Sequence, residues 1–331
     1  MNRRDAIMAL FAIGAAAVPV TSNAQALVAG RGGRVARVGV LITSLGEARA
    51  YLSATVAGLR ERGWVQGKNL VLDVRSPETN VDLYPKSSAE LVAARPDVIL
   101  ATTYLAVLAV TDETESIPVV FAAISDPVKT GLVRSLSRPG GQLTGVAFGG
   151  APLVSKRLEI LKDAFPRMAR LAVLYDVDRQ GEAGLAQLRE AAQQLGIVLL
   201  PLGASRPEEI ERAFAEMRRS AADAVLVPAS IRFFFERRRI VALAARYRLP
   251  AIYEHHLTAD EGGLMAYGPD FVAGFRRVAH HIDRILRGAR PGDLPIEEAM
   301  RYELVVNLRT ARAAGFQLSP RFIGRADRVI E

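Results

Sequence analysis

Apolar and polar positions alternate along most of the chain as short apolar runs and longer amphipathic stretches. The clearest run covers residues 118–124, where a proline starts a β-branched and aromatic segment that stops abruptly at Ser125 and Asp126. Such a run is typical of a strand buried on both faces, as in a parallel sheet. Ligands of open α/β sheets bind beyond the carboxyl ends of strands, so Ser125 and Asp126 are candidate ligand contacts. A simple turn is the alternative, because Ser and Asp-Pro favour turns.

The same alternation predicts two successive α/β halves, separated by a passage rich in glycine and proline around residues 137–152. In the first half the pattern predicts strands at residues 35–42, 70–75, 98–101, 118–124 and 143–148, and helices at 48–62, 85–94 and 104–111. In the second half it predicts strands at 171–175, 197–202, 224–228, 251–253 and 264–267, and helices at 154–164, 182–195, 207–219 and 233–247. Short connections of this kind are typical of βαβ units, and two halves imply two lobes with a cleft between them. A further helix at 271–287 and a strand at 302–307 could complete either lobe.

Composition indicates a globular protein of two ordinary domains, because the chain has 331 residues, of which 50% are hydrophobic and 24% are charged. The formal net charge is +8, from 43 Lys and Arg against 35 Asp and Glu, which would suit an anionic partner. Basic and acidic residues are interspersed, however, and the dense run at residues 232–239 is a single cluster without a nucleic-acid-binding motif. We interpret this run as one helix with a solvated face over a buried apolar face. We therefore expect no nucleic-acid partner.

The N-terminus has the features of an export signal. Arg3 and Arg4 precede an apolar run at residues 6–20, and an Ala-Gln-Ala sequence at residues 24–26 supplies a small-residue cleavage site. The paired arginines resemble the twin-arginine type. A membrane anchor is the alternative, but the apolar run is shorter than the roughly 20 residues that a spanning helix needs. We therefore expect a signal peptide over residues 1–26. Because the chain has no cysteine for lipid attachment or disulfides, we expect a soluble periplasmic mature protein.

No catalytic or metal-binding motif can be recognised in the sequence. It has no nucleophile elbow, no Walker or dinucleotide-binding glycine loop, and no cysteine. His255 and His256 follow a predicted strand beside Glu254, but adjacent residues of a strand point to opposite sides and cannot share a metal ion. His280 and His281 lie in a predicted helix without HExxH spacing. We therefore expect no metal, no cofactor and no enzymatic activity.

Hydroxyls and carboxylates recur just after the predicted strands. These residues are Ser44, Thr102, Thr103, Ser125, Asp126, Asp178, Glu254 and Tyr267. Each alone has an ordinary explanation, because Ser, Thr and Asp are preferred at helix caps and turns. Several of them at the same edge of two facing sheets indicate a binding site for a small ligand. Hydroxyls and helix N-terminal amides suit a carboxylate, whereas Asp126 or Glu254 suits an ammonium group.

Several segments are similar to those of a known protein family. They are GLRERGWVQGKN at residues 58–69, IPVVF at 117–121, DPVKTGLV at 126–133, SRPGG at 137–141, KRLEI at 156–160, ALAA at 242–245, PAIYE at 250–254, GGLMAYG at 262–268 and NLRTA at 307–311. On these segments the chain resembles the ABC-transporter substrate-binding proteins of the tryptophan-binding-protein-like family. The similarity covers essentially all of the mature chain, and the DPV and RPGG segments together are fairly specific.

The resemblance implies the type 1 periplasmic binding fold, in which two Rossmann-like α/β lobes with parallel sheets are joined by a multi-segment hinge and close on a ligand. Carried over to this chain, the hinge crossings lie near residues 145–150, 268–270 and 295–302. The implied N-terminal lobe comprises residues 35–146 and about 270–296, and the implied C-terminal lobe comprises residues 147–268 and about 302–331. The resemblance also implies ligand contacts at strand ends, among them Tyr253 together with Glu254.

These features together predict the periplasmic substrate-binding component of an ABC uptake transporter, which binds a small organic solute in the interlobe cleft. Amino acids are among the candidate solutes. The expected partners are this small-molecule ligand and an ABC permease in the inner membrane, and we expect a monomer. A ligand-sensing module for a membrane signalling receptor is the alternative, since it would use the same closure. A hydrolase or transferase is least favoured, because no nucleophile–base arrangement can be recognised.

Overall fold

A computed structural model describes residues 35–78, 80–149, 151–178, 185–299 and 301–331. The signal peptide predicted for residues 1–26 lies outside these ranges. Within them, none of the helices is both long enough and apolar enough to cross a membrane.

Strands and helices alternate along the chain, as the hydrophobic pattern predicts. The strands are β1 (Ala36–Leu41), β2 (Leu70–Arg75), β3 (Val98–Ala101), β4 (Val119–Ile124), β5 (Leu143–Ala147), β6 (Arg170–Asp176), β7 (Val198–Ala204), β8 (Ala224–Leu226), β9 (Ala251–Tyr253), β10 (Met265–Pro269), β11 (Glu297–Glu298), β12 (Tyr302–Asn307) and β13 (Arg328–Ile330). The helices are α1 (Leu45–Glu61), α2 (Tyr84–Ala93), α3 (Tyr104–Glu113), α4 (Ala151–Ala164), α5 (Ala186–Gln194), α6 (Pro207–Arg219), α7 (Ile231–Phe235), α8 (Arg237–Tyr247), α9 (His256–Asp260), α10 (Phe271–Leu286), α11 (Leu308–Ala314) and α12 (Pro320–Ile323).

The strands form two separate sheets, which confirms the predicted α/β class with two lobes. The first sheet has the order β11-β5-β4-β3-β1-β2, and its described strand pairs are parallel. The second has the order β13-β12-β10-β9-β8-β6-β7 and is parallel except for the antiparallel pair β10–β12. The chain leaves the second sheet at the end of β10 and returns to it at the start of β12, directly beside that end. There the Asp270 amide donates to the Arg301 carbonyl. A strand that begins where its neighbour ends has to run antiparallel to it.

The described elements cross between the two sheets at three places. The chain leaves the first sheet after β5, returns after β10 to form α10, and leaves again between β11 and β12. Helix α10 packs against α1 and also contacts β3, β4 and β5 of the first sheet. We therefore call β1–β5, α1–α3, α10 and β11 lobe A, and we call the remaining elements lobe B.

Each sheet is buried on both faces, which explains the long apolar runs of its central strands. All four residues of β3 and all five of β5 are buried, and so are the residues of β8 and β9. One face of the lobe A sheet packs on α1 and α10 around Leu59 and Val278, and the other packs on α2 and α3 around Leu91 and Val107. Each lobe thus has its own hydrophobic core, which fixes the positions of its strand ends.

A β-bulge interrupts β4 near its carboxyl end. Ala123 has a left-handed conformation with a φ of 55°, and the pairing with β5 shifts between Phe121 and Ile124. Gly145 lies opposite the bulge, where a Cβ would come within 2.2 Å of the Phe121 carbonyl oxygen. Non-glycine residues rarely adopt this conformation, and bulges change the direction of the side chains that follow them. The bulge immediately precedes the polar strand end at Ser125.

Two local predictions from the sequence are wrong. The helix predicted for residues 233–247 is two shorter helices, α7 and α8, which meet at Glu236. His255 and His256 do not lie on opposite sides of a strand, because β9 ends at Tyr253 and His255 caps α9, which begins at His256. Apolar periodicity does not reveal a one-residue interruption, and a five-residue helix such as α9 is too short to produce a periodic pattern.

Gly58 on α1 is a point of close approach between α1 and α10. A Cβ at this position would come within 2.7 Å of the Arg276 carbonyl oxygen and 2.8 Å of the Ala279 Cβ. We predict that Gly58→Ala lowers the free energy of unfolding by about 1–3 kcal/mol through overpacking. This loss should appear although alanine is the better helix former by about 1 kcal/mol. Urea unfolding followed by circular dichroism measures the change.

Gly46→Ala is the matched control for this substitution. Gly46 lies in the first turn of the same helix, and a Cβ there would meet Ser44 Oγ at 3.9 Å, which is ordinary contact. We expect this variant to be as stable as the wild-type protein or slightly more stable. Equal stability of the Gly58→Ala and Gly46→Ala variants would contradict the close packing of α1 on α10.

Candidate functional site

A cavity of about 670 Å³ lies between the two lobes. Lobe A borders it with residues at the carboxyl ends of β1, β3 and β4 and with α1 and α10, and lobe B with residues at the ends of β8 and β9 and with α7. In open α/β folds, ligands bind at the edge where parallel strands end. The volume is in the range of pockets for small molecules.

Eight of the nine residues predicted from the sequence line this cavity. Ser44, Thr102, Thr103, Ser125 and Asp126 line it from lobe A, and Asp178, Tyr253 and Glu254 line it from lobe B. Tyr267 is not among the lining residues. Its ring lies beside that of Tyr302 at a centroid distance of 6.2 Å, and its carbonyl accepts a hydrogen bond from Arg157. The structure thus brings the polar strand ends of both sheets to one space, while their role in ligand binding stays a prediction.

The hydroxyls of lobe A also have structural partners. Ser44 Oγ donates to the Glu78 carboxylate at 3.1 Å, and the same carboxylate accepts from the Leu45 amide at 3.2 Å, at the start of α1. The bond from the Leu45 amide is the main reason why the pKa of Glu78 is below its ordinary value. Thr103 Oγ1 caps α3 by accepting from the Ala106 amide. Each hydroxyl keeps further hydrogen-bonding capacity, because a hydroxyl has one donor and two acceptor positions.

Asp126 combines a turn with an exposed carboxylate. Its Oδ1 accepts from the Lys129 amide at 2.9 Å, and its carbonyl accepts from Thr130 Oγ1 at 3.0 Å. These bonds form the turn that the sequence offers as the alternative interpretation. The side chain is nevertheless exposed and lines the cavity next to Ser125. The two interpretations are compatible, because one carboxylate oxygen can serve the turn and the other a ligand.

Glu254 faces the cavity from lobe B in front of a buried arginine. Arg157 on α4 is 2% exposed, its Nε donates to the Tyr267 carbonyl at 2.7 Å, and its Nη2 lies 3.9 Å from Glu254 Oε1. Burial raises the pKa of Glu254, and the Arg157 guanidinium opposes that shift. Arg157 Nη2 makes no hydrogen bond to any residue that the structure describes. At this distance the carboxylate keeps the capacity to bind a cationic group of a ligand.

Asp178 takes part in an ionic network that holds α7 against the end of β6. Its carboxylate accepts from Arg232 Nη2 at 2.7 Å, and Arg232 Nε lies 3.5 Å from the buried carboxylate of Asp176. Asp176 also accepts from Ser230 Oγ at 2.7 Å, and Ser230 is the residue that caps α7. Because Arg232 already neutralises Asp178, this carboxylate is better suited to positioning α7 than to binding a ligand cation.

A large part of the cavity wall is aromatic. The aromatic residues that line it are Tyr51, Tyr104, Phe148, Phe233, Phe234, Tyr253, Phe271 and Phe275, together with His255. Tyr51 stacks on Phe275 at a centroid distance of 5.0 Å, and Phe148 packs edge-to-face on Phe271 at 5.2 Å. His255 of lobe B stacks on Phe271 of lobe A at 4.2 Å. Such a wall offers a large apolar surface to a planar group of a ligand.

Sequence reasoning missed the aromatic wall and the buried arginine behind Glu254. Phe233 and Phe234 lie in the arginine-rich run for which the sequence predicts a solvated helix face over a buried apolar face, but both line the cavity. Arg237 of the same run is buried, lies 4.4 Å from the Phe234 ring centroid, and donates to Glu261. Consecutive aromatic residues shortly after a predicted strand end were the available signal for this wall.

Tyr253 contributes a phenol whose hydroxyl has no hydrogen-bond partner among the described residues. The side chain is 3% exposed, and its ring packs against Gly263, where a Cβ would come within 2.7 Å of a ring carbon. Burial raises the pKa of Tyr253 well above its ordinary value, so the phenol is protonated at neutral pH. A buried hydroxyl without a partner costs about 1–3 kcal/mol.

Two α/β lobes around a cavity of aromatic and polar residues define a two-lobed ligand-binding protein. In the part of the chain that is described, no group of three or more His, Asp or Glu side chains could hold a metal ion. Residues 37–330 match the family of ABC transporter substrate binding proteins, and the chain belongs to this family. The family consists of solute-binding proteins and not of enzymes.

Relatives and solved structures agree with this assignment. The chain is 22% identical to the tyrosine-binding protein of Clostridioides difficile (strain R20291) over 263 residues, which are 79% of this chain and 75% of that protein. Its fold is similar to that of the ABC domain from Streptococcus pneumonia in complex with L-Trp, with a TM-score of 0.81, 23% identity, and coverage of 89% of this chain and 99% of that chain. A conserved domain protein from Vibrio cholerae is similar with a TM-score of 0.81, 24% identity, and coverage of 89% and 100%.

We predict that Tyr253→Phe raises the free energy of unfolding of the ligand-free protein by about 1 kcal/mol, because it removes a buried unpaired hydroxyl and keeps the ring. Tyr84→Phe is the matched control. Tyr84 is also 3% exposed, but its hydroxyl lies 3.4 Å from Thr103 Oγ1, so its removal should be neutral or destabilising. Thermal melting of both variants measures the difference. Lower stability of the Tyr253→Phe variant would show that this hydroxyl has a partner.

Proposed function

We propose that this chain is the periplasmic substrate-binding component of an ABC uptake transporter and that its ligand is an amino acid with an aromatic side chain. The ligand is held in the interlobe cavity when the lobes close. The observation that carries this proposal is the composition of the cavity wall, which combines many aromatic rings with ionisable groups of both signs from the two lobes.

The aromatic rings favour a planar apolar group. Tyr51, Phe271 and Phe275 of lobe A form a continuous set of ring contacts with Phe148, which directly follows β5, and the centroid distances lie between 5.0 and 5.8 Å. Aromatic pairs at such distances gain about 0.5–1.5 kcal/mol beyond the burial of apolar area. A ligand ring that enters this set adds further pairs, whereas an aliphatic chain gains apolar burial alone.

The polar strand ends favour a zwitterionic head group. The ionisable carboxylates and cations of the wall are Asp126, Lys129, Asp178, Arg237 and Glu254. Asp178 and Arg237 form ion pairs of 2.7 and 3.1 Å, whereas Glu254 lies 3.9 Å from its cationic neighbour. Asp126 and Glu254 therefore suit an ammonium group, and Lys129 with the lobe A hydroxyls suits a carboxylate.

Similar proteins support both the ligand class and the partner. The similar structure from Streptococcus pneumonia is a complex with L-Trp, and the relative from Clostridioides difficile is named for tyrosine binding. Both ligand names agree with an aromatic wall. Membership of the ABC transporter substrate binding family supports an ABC permease as the partner that receives the ligand.

Closure of the lobes uses the three chain crossings as a hinge, near residues 145–150, 268–270 and 295–302. On this proposal the N-terminal lobe comprises residues 35–146 and about 270–296, and the C-terminal lobe comprises residues 147–268 and about 302–331. Strands β5, β10 and β11 end next to these crossings, which supports the assignment. Gly268 lies at the second crossing, where the chain passes close to the end of β9. A Cβ at this position would come within 2.0 Å of the Glu254 carbonyl oxygen, so a larger residue does not fit.

Calorimetric titration of the mature protein with L-tryptophan, L-tyrosine, L-leucine and L-alanine tests the proposed ligand class. We predict that the aromatic amino acids bind at least about tenfold more tightly than L-leucine, which corresponds to about 1.4 kcal/mol of added ring contacts. A ligand at 100 times its Kd adds about 2.7 kcal/mol of stability, so a thermal-shift assay provides an independent readout. Equal or tighter binding of L-leucine would contradict an aromatic ligand.

The same titrations on charge variants test the head-group contacts. Asp126→Asn and Glu254→Gln keep the shape of each side chain and remove its charge. Each should weaken binding by about tenfold to a hundredfold, because a hydrogen bond to a charged group contributes about 1.5–3 kcal/mol. Asp126→Ala also removes the acceptor of the Lys129 amide. If Asp126 serves the turn alone, Asp126→Ala lowers the melting temperature while Asp126→Asn leaves affinity unchanged.

Export is tested on the precursor. We predict that cleavage after residue 26 gives a periplasmic protein that begins at Leu27, as read by N-terminal sequencing. Replacement of Arg3 and Arg4 by lysine should leave the precursor in the cytoplasm if the twin-arginine route is used. An unchanged periplasmic yield of this variant would show that export follows another route.

A further inference from the structure

His255 lies where lobe B meets the aromatic wall of lobe A, and it contacts two different elements of lobe A. Its ring stacks on Phe271 of α10, with centroids 4.2 Å apart and planes inclined by 22°. Its Nε2 lies 3.2 Å from the hydroxyl of Tyr51 on α1. Tyr51 is in turn stacked on Phe275 of α10. A single side chain of lobe B therefore makes both an apolar and a hydrogen-bonded contact with lobe A.

The hydrogen bonds of His255 define its protonation state. Nδ1 accepts from the Leu257 amide at 3.2 Å, a bond that caps α9. A nitrogen that accepts from an N–H carries no proton, so the neutral ring holds its proton on Nε2 and donates it to the Tyr51 oxygen. A second proton on Nδ1 would face the Leu257 amide, donor against donor. The helix cap and the present position of the ring therefore both require neutral imidazole.

The surroundings of His255 also oppose a positive charge. Arg237 of α8 and His256 at the start of α9 face it with positive or titratable groups, while Phe234 of α7 and the first turn of α10 cover the ring with apolar surface. From α1, Tyr51 presents a neutral hydroxyl. Burial first, and then His256 and Arg237, hold the pKa of His255 well below its ordinary value of 6.5.

The acidic groups nearby act on His256 instead. Its Nδ1 lies 3.2 Å from a carboxylate oxygen of Glu303 on β12, and Asp260 and Asp270 raise its pKa against the effect of burial, which lowers it. His256 is thus the neighbouring titratable ring, but its polar contact lies within lobe B. The two adjacent histidines therefore differ in their polar partners, since only His255 has one in lobe A.

We propose that His255 is a positioning residue that holds the two lobes together in its neutral form, and that a second proton on its ring releases this contact on acidification. When the lobes separate, the ring loses Phe271 and Tyr51 and gains water, which favours its charged form. The prediction for lobe separation stands by itself, and its consequence for ligand affinity rests on the proposed function.

The pH range follows from the two arrangements of the lobes. With the lobes apart, the burial by lobe A is lost and the pKa of His255 rises toward its ordinary value of 6.5, which His256 and Arg237 of lobe B keep it from exceeding. With the lobes in contact its pKa is lower. The contact is therefore fully favoured above about pH 6.5, and it loses up to about tenfold in its equilibrium constant for each pH unit below that value. This loss continues until the lowered pKa of the contact state is reached.

The distance between the lobes measures this response without a ligand. The chain contains no cysteine, so Lys86→Cys on α2 and Arg212→Cys on α6, at two exposed positions, place one spin label on each lobe. Double electron–electron resonance then gives the distribution of interlobe distances in the mature protein. We expect a short-distance population at pH 7.5 and an additional longer one at pH 5.5. An identical distribution at both pH values would overturn the proposal.

Three variants in this labelled background identify the group that titrates. His255→Phe keeps a ring for the stack on Phe271 but cannot be protonated, so its distances should not respond to pH. Tyr51→Phe removes the hydrogen bond to His255 but leaves the imidazole in place. We expect a smaller short-distance population in this variant at pH 7.5, and this population should still decrease at pH 5.5. His256→Asn removes the neighbouring titratable ring, whose charge lowers the pKa of His255, so its distances should still respond to pH, at the same or a higher pH than in the wild-type protein. A full response in His255→Phe, or none in His256→Asn, would assign the titration to another group and overturn the proposal.

Titration with L-tryptophan at pH 7.5 and 5.5 connects the contact to ligand binding. We expect Kd to rise by up to about tenfold in the wild-type protein at the lower pH and to change little in His255→Phe, which also corrects for titration of the ligand itself. Equal affinity at both pH values in the wild-type protein would overturn the connection. Absence of binding at either pH would contradict the proposed ligand, and the distance measurements would still decide the role of His255.

Discussion

The packing of α10 against α1 is the contact on which the rest of the binding site depends. Helix α10 follows directly after a strand of lobe B, yet Val278 and its neighbours are part of the lobe A core. Its first turns carry Phe271 and Phe275, which line the cavity. Gly274 allows this arrangement, since a Cβ there would come within 2.2 Å of the Phe148 ring. The segment that links the lobes therefore also supplies the aromatic wall, so a change in lobe position moves that wall.

Arg157, a buried charge of lobe B, connects the polar side of the site to the strand that precedes α10. Moving an isolated ion out of water costs several kcal/mol, so Arg157 needs both the Glu254 carboxylate and the Tyr267 carbonyl. Burial still lowers the pKa of Arg157, and the charge of Glu254 opposes this shift. The Tyr267 carbonyl lies on β10 immediately before the crossing to α10. Arg157 therefore lies between the carboxylate that faces the cavity and the strand from which the chain crosses to α10.

Family membership accounts for the two lobes and the cleft, whereas the chemistry of this particular cavity comes from its own side chains. Hydroxyls and Asp126 form the polar side on lobe A, and aromatic rings from both lobes form the apolar side. His255 is part of the aromatic wall and also makes a hydrogen bond to Tyr51 of the other lobe. Ligand preference and lobe closure are therefore expected to depend on overlapping residues.

Much of the fold and the polar side of the site could be predicted from the amino-acid sequence. Strands buried on both faces produce unbroken apolar runs, so β3 and β9 have the predicted bounds. The carboxyl ends of parallel strands share one edge, which is why eight of the nine polar candidates line one cavity. These features depend on burial and on local connectivity, and both leave a periodic signal in the sequence.

Contacts between distant residues were decided by the tertiary structure alone. Tyr51 and His255 are 204 positions apart, and Arg157 and Tyr267 are 110 positions apart. Apolar periodicity identifies a buried face but not the residue that it meets, so it could not show that α10 joins lobe A. For the same reason it could not show that the aromatic residues of α1, α7 and α10 form one wall. Only the packing of the lobes brings these side chains together, because that packing depends on the shape and charge of both surfaces at once.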